Sequence, residues 1–159
     1  MPFIMLAVSL IAITVHLFLT KDRNAKKVVE VTLLYLLVIC FGIGTMMAGA
    51  FHVFDGPEVA KMIGWEPGSP FQYELGVADI SLGLTCFLCF FIRGSFWLAA
   101  IIAQSVFLFG CMIGHVRDML LSGNTAAYNI GPTIIVANLI IPLLVISLYI
   151  ALRRLEKNQ

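Results

Sequence analysis

The sequence predicts an all-α polytopic membrane protein, a bundle of five membrane-spanning helices carrying one short extracytoplasmic surface helix. Composition is the first observation behind this: 60% of the 159 residues are hydrophobic and only 12% are charged, far from the balance of a soluble globular domain. The second is five apolar runs at about residues 2–19, 28–51, 71–92, 97–121 and 132–152. Each is near the ~20 residues a helix needs to cross ~30 Å of hydrocarbon. The third is the placement of lysine and arginine between the runs. Residues 1–159 form a single transmembrane domain whose long connection is 52–70, so function has to be sought in the few polar groups carried into the lipid.

The first run has no positive segment before it and no clear small-residue cleavage site after it, so it reads as a retained helix rather than a signal peptide. Lys21, Arg23, Lys26 and Lys27 follow it, Arg93 follows the third run, and Arg153, Arg154 and Lys157 follow the fifth. Only Lys61 and Arg117 stand in the other connections. The positive-inside rule then predicts a multi-pass protein of the cell membrane, N-terminus and loop 52–70 extracytoplasmic, C-terminus cytoplasmic. The net charge of +1 comes from these clusters and not from a basic face, which points away from nucleic acid. The expected partner is the lipid bilayer, with a homo-oligomer or a larger membrane complex allowed.

In the second run Gly42, Thr45, Gly49 and His52 recur at helical spacing on one face. Past it, Asp55-Gly56-Pro57-Glu58 has the pattern of a helix start, with Asp55 as cap and Glu58 at the capping-box position. Val59, Met62 and Ile63 can share a face, which predicts a helix over 57–63 resting on the membrane surface, with Trp65 at headgroup level. Ser69-Pro70-Phe71-Gln72 is a second start signal, with Ser69 as N-cap and Gln72 completing a capping box.

The third run brings Glu74 and Asp79 into the membrane. Gln72, Gly76, Asp79, Gly83 and Cys86 form one stripe and Glu74, Ala78, Ser81 and Thr85 a neighbouring one. On the fourth run Gln104, Leu108, Cys111, His115 and Asp118 share a face, and Gly110 and Gly114 have the spacing of a helix-packing motif. The fifth run places Asn138 four residues before Pro142, which predicts a kink beside a polar side chain. Cys40, Cys86, Cys89 and Cys111 all fall inside runs, which argues against a disulfide framework.

His52, Gly64-Trp65, Ser69-Pro70-Phe71-Gln72 with Glu74 and Gly76, and Gly114-His115 resemble the landmarks of a family of small multispan prokaryotic membrane proteins of unknown function. The resemblance covers roughly residues 40 to 150 and implies a fold and a set of positions, not a reaction. A fainter likeness to DoxX-like membrane proteins rests on size and helix count.

Depth arithmetic at 1.5 Å per residue puts Asp79 ~12 Å, His115 ~9 Å, Asn138 ~10 Å and Thr45 ~10 Å from the outer ends of their helices. Intramembrane ionisable groups are costly and mark functional candidates. An outward-opening pocket is therefore expected from Glu74, Asp79, His115, His52, Asn138, Thr45 and Gln104, taking a lipid, a quinone or a metal ion. His52, His115 and Glu74 are the candidate metal ligands, and two histidines at this depth can also flank a haem. Cys86 and Cys89 form an intrahelical pair able to meet a soft metal, or simply buried thiols. The alternative is a structural or accessory subunit whose polar residues only hold helices together. No nucleotide loop, nucleophile motif or cofactor fingerprint identifies a reaction or cofactor.

Overall fold

The computed structural model describes residues 1–158 as helices joined by short connections, with no strand among the described residues. Five helices are long and apolar enough to cross a membrane: α1 (Pro2–Leu19), α2 (Ala25–Phe54), α4 (Phe71–Phe90), α5 (Ser95–Ser122) and α6 (Ala127–Lys157). The short α3 (Gly56–Ile63) lies between the second and third of them. The protein is a multi-pass helical membrane protein. Its outer surface agrees, since Phe18, Leu19, Phe54, Leu120 and Leu121 are largely exposed on the bundle's outside, where hydrocarbon and not water accommodates them.

α2, α5 and α6 outrun their apolar runs at both ends, while α4 stops two residues short of its run. α2 starts at Ala25 because Asn24 Oδ1 accepts the Lys27 N–H at 2.9 Å, a side-chain cap. α6 opens with the single turn Ala127–Ile130, breaks at extended Gly131 and restarts at Pro132.

Two spans contain wide turns. Leu36–Ile43 in α2 and Val136–Ile140 in α6 are π-helical. The second lies just before Pro142, where a kink was expected, and has a covalent reason. Proline offers no N–H to the Asn138 carbonyl, and the Ile141 N–H reaches back five residues to the Val136 carbonyl.

α2 and α4 cross back to back at glycines. A Cβ placed on Gly49 would stand 2.6 Å from the Gly76 carbonyl oxygen, and one on Gly76 would stand 2.7 Å from the Gly49 carbonyl oxygen. Only hydrogens fit at that crossing, the close-approach role of small residues in membrane helices. Gly110 and Gly114 were expected to pack in the same way, but beyond their own stretch of helix backbone no described heavy atom lies within 4 Å of a Cβ at either. Their face of α5 points out of the bundle.

The apolar core sits toward the basic end, around Leu33, Leu37, Phe41, Cys86, Trp97 and Val145. That end is tied by Arg93, whose guanidinium lies 3.6 Å from Glu30 and 4.9 Å from the centre of the Trp97 ring. At the opposite end the interior turns polar.

Candidate functional site

The stripe expected on α4 is the buried one: Gln72, Gly76, Asp79, Gly83 and Cys86 are its buried residues. Facing it on α2, His52 donates its Nδ1–H to Gln72 Oε1 at 2.5 Å. Gln72 is thus drawn into an interhelical bond instead of the expected capping box. Ser69 Oγ still accepts the Phe71 N–H at 3.2 Å, while the helix begins after Pro70.

Deeper along α2, Thr45 Oγ1 accepts a hydrogen bond from Gln104 Nε2 of α5 at 3.0 Å. Gln104 is fully buried, and among the described residues its Oε1 has no partner; neither does Ser105 Oγ beside it. Asp79 is only 7% exposed. Its Cβ lies 2.8 Å from where a Gly49 Cβ would stand, which places it on the α2–α4 crossing. No described residue donates a hydrogen bond to its carboxyl group. Asn138, buried in the wide turn of α6, also lacks a side-chain partner among the described residues.

Above these residues a continuous polar network closes the end of the bundle. The Trp65 indole stacks on the His115 imidazole, centroids 5.7 Å apart and planes 14° from parallel. Its Nε1–H donates to Asp118 Oδ2 at 2.9 Å. Asn124 Nδ2 donates to the same carboxylate oxygen at 2.7 Å and to the Ile63 carbonyl at 2.9 Å. Ser122 Oγ lies 2.6 Å from the other carboxylate oxygen. His115 Nδ1–H donates to Asn129 Oδ1 at 2.7 Å, and Asn129 Nδ2 donates to the Asn124 carbonyl at 2.8 Å.

α3 delivers Trp65 into this network. Its buried residues, Gly56, Val59, Ala60 and Ile63, follow helical spacing, with Ala60 inside where Met62 was expected; Met62 is exposed. Asp55 makes no side-chain cap, and Glu58 pairs with Lys61 at 3.2 Å instead of closing a capping box. Gly64 ends the helix at φ +84°, a left-handed turn that glycine adopts without strain. The chain then drops Trp65 onto His115, so the ring expected at headgroup level belongs to the cap.

The expected site residues therefore divide. Thr45 and Gln104 bond each other, His52 and His115 each have an amide partner, and Asp79 and Asn138 are buried without one. Glu74 lies exposed on the outward face of α4 with no polar partner among the described residues, alongside exposed Ser81. Among the described residues no three His, Cys, Asp or Glu side chains gather as metal ligands. The thiols point to separate acceptors, Cys86 toward the Ala100 carbonyl and Cys89 toward that of Thr85.

Sequence reasoning did not single out Asn124, Asn129 and Ser105. The two asparagines, five apart in the α5–α6 connection and the first turn of α6, were the available signal, because turn asparagines can satisfy backbone and side-chain groups together. Two surface grooves, of about 560 Å³ along α1 and about 100 Å³ at the basic end, are both lined by residues outside this polar cluster.

Comparison with known proteins gives one family match: the profile of the family of unknown function DUF6790 matches residues 1–158. No curated protein and no solved structure matches the chain.

Proposed function

The chain belongs to that family of unknown function, and from this premise we propose that the protein binds a small polar or protonatable ligand inside its bundle, between α2, α4 and α5 and beneath the Trp65–His115 cap. The capped end faces out of the cell membrane, in keeping with basic residues gathered at the other end. Asp79 carries the reading. A carboxyl group buried in a membrane helix is costly and normally finds a partner, yet Asp79 receives no hydrogen bond from any described residue, whereas His52 and Thr45 on the facing helix are both bonded. Gln104 Oε1 and Ser105 Oγ are, among the described residues, the fully buried side-chain atoms without a hydrogen-bond partner. The ligand's donors would meet Asp79 and these oxygens, and Trp65 would have to move for it to enter.

A structural role is the second reading, supported by the Thr45–Gln104 and His52–Gln72 pairs, each of which joins two helices. Native mass spectrometry of the gently solubilised protein separates the two. On the ligand reading, a stoichiometric mass beyond the polypeptide accompanies the wild type and is lost from Asp79→Asn, which keeps the fold. A bare polypeptide, or the absence of any bound mass that Asp79→Asn removes, overturns it.

A further inference from the structure

The groove along α1 lies apart from the polar site and has a chemistry of its own. Val8, Ala12, Val15 and Leu19 recur along one stripe of the helix, beside the seam by which α1 holds α2. That seam is made by Ser9, 0% exposed, by Ile13, and by His16, whose Nδ1 lies 3.1 Å from the Tyr35 hydroxyl. The Tyr35 ring closes one side of the trough, and small Ala12 gives it depth. Its volume of about 560 Å³ falls within the ~300–1,000 Å³ of sites that hold small organic molecules. From Val8 to Leu19 the stripe runs about 16 Å at the helical rise, roughly half of a ~30 Å hydrocarbon layer, the depth of a single leaflet.

Just beyond Thr20, which lines one end of this trough, the chain carries Lys21 and Arg23, and hydrogen bonds hold the Arg23 charge at that end. Arg23 folds back on the end of α1, donating from Nη2 to the Phe18 carbonyl at 3.0 Å and from Nε to the Thr20 carbonyl at 3.3 Å. Those bonds use two of the five guanidinium donors and leave the others to a phosphate. Exposed Lys21 stands next to it with no partner among the described residues. The nearby Asp22 is turned toward Asn24, 3.1 Å from its backbone N–H and 3.1 Å from its Nδ2.

We infer that the α1 groove is a binding site for one anionic phospholipid, its acyl chain lying along Val8–Leu19 and its phosphate at Arg23 and Lys21. An apolar trough one leaflet deep, ending in fixed cationic donors, matches an amphiphile with a negative head. A zwitterionic lipid would place a cationic group against the same charges.

The test is lipid retention by the full-length protein in native mass spectrometry, with phosphatidylglycerol and phosphatidylcholine of identical chains offered in competition. One phosphatidylglycerol per chain should be retained in preference. Lys21→Gln, which removes no contact within the protein, should lower that preference about fivefold, and Arg23→Gln by a similar factor. Ala12→Phe fills the trough and should abolish retention of both lipids. Equal retention of the two lipids overturns the inference, as does a preference that Lys21→Gln leaves unchanged. So does a dimer mass that Ala12→Phe dissolves, which would make a second copy of the chain the occupant. These readouts are independent of Asp79.

Discussion

Trp65 and His115 stack nearly parallel across the capped end of the bundle although fifty residues of chain separate them. The same indole holds Asp118 through its N–H. One side chain thus fastens the loop after α3 to two positions on α5, and the roof of the polar interior depends on it.

Trp65→Ala should loosen that roof without unfolding the spans. The stacking and the indole bond together are worth about 1–3 kcal/mol, and the loss should appear as faster amide exchange over residues 123–130. Trp65→Phe keeps a ring on His115 but no donor for Asp118, so its exchange rates should fall between those of the wild type and the alanine variant.

Gly64→Ala should cost more than Gly68→Ala in a thermal melt. Both glycines have positive φ, +84° and +97°, and alanine there costs about 1–2 kcal/mol. At Gly64 the new Cβ would also stand 2.6 Å from Asn124 Oδ1, whereas at Gly68 nothing lies within 4 Å. The difference between the two melts measures what it takes to move Asn124 off Ile63 and Asp118.

A matched pair of glycines tests the α2–α4 crossing. Gly49→Ala puts a methyl group against the Gly76 carbonyl, so the helices must part; about 1–3 kcal/mol of stability should go. Gly110→Ala meets open space and should change stability by no more than about 0.5 kcal/mol. Equal losses in denaturant titrations would contradict the crossing.

Asp79→Asn should not destabilise the protein. It replaces a buried carboxyl group that no described residue hydrogen-bonds and keeps nearly the same volume, and such replacements at ligand sites often stabilise. A fall in melting temperature of the ligand-free protein would mean that Asp79 has a structural partner.

Glu30→Gln should matter little. Its two ion pairs, to Lys27 and Arg93, are both 3.6 Å long and lie between partly exposed side chains, a setting worth at most about 1 kcal/mol. Arg93 keeps its place over Trp97, so melts of wild type and variant should converge at high salt.

The spans were legible because transfer of apolar residues into hydrocarbon nearly adds along the chain, so a window of sequence carries most of the information. The α4 stripe was legible for a similar reason: helical spacing alone put Gln72, Asp79 and Cys86 on the face that became buried. Partnerships were not. Trp65 with Asp118 and Asn124 with Ile63 join positions 53 and 61 residues apart, and local pattern does not encode which distant donor arrives. Gln72 shows the same limit, since it satisfied a local capping rule and then found a partner on another helix, twenty residues away in His52. Glu74 differs from Asp79 in phase around one helix as well as in depth, and the neighbouring stripe it belongs to faces outward.

The wide turn at Leu36–Ile43 gives α2 two different azimuths. At 3.6 residues per turn, one residue absorbed into a bulge rotates every side chain beyond it by about 100° relative to an unbroken helix. Before the turn, Ala25–Tyr35 packs on the basic-end portion of α6; after it, Gly44–Phe54 packs on α4. A single rod thereby serves two different neighbours, and Thr45, Gly49 and His52 meet α4 and α5 because the backbone changes phase just before them. Shortening that turn by one residue would leave hydropathy and span length almost untouched while aiming all three at the wrong helix.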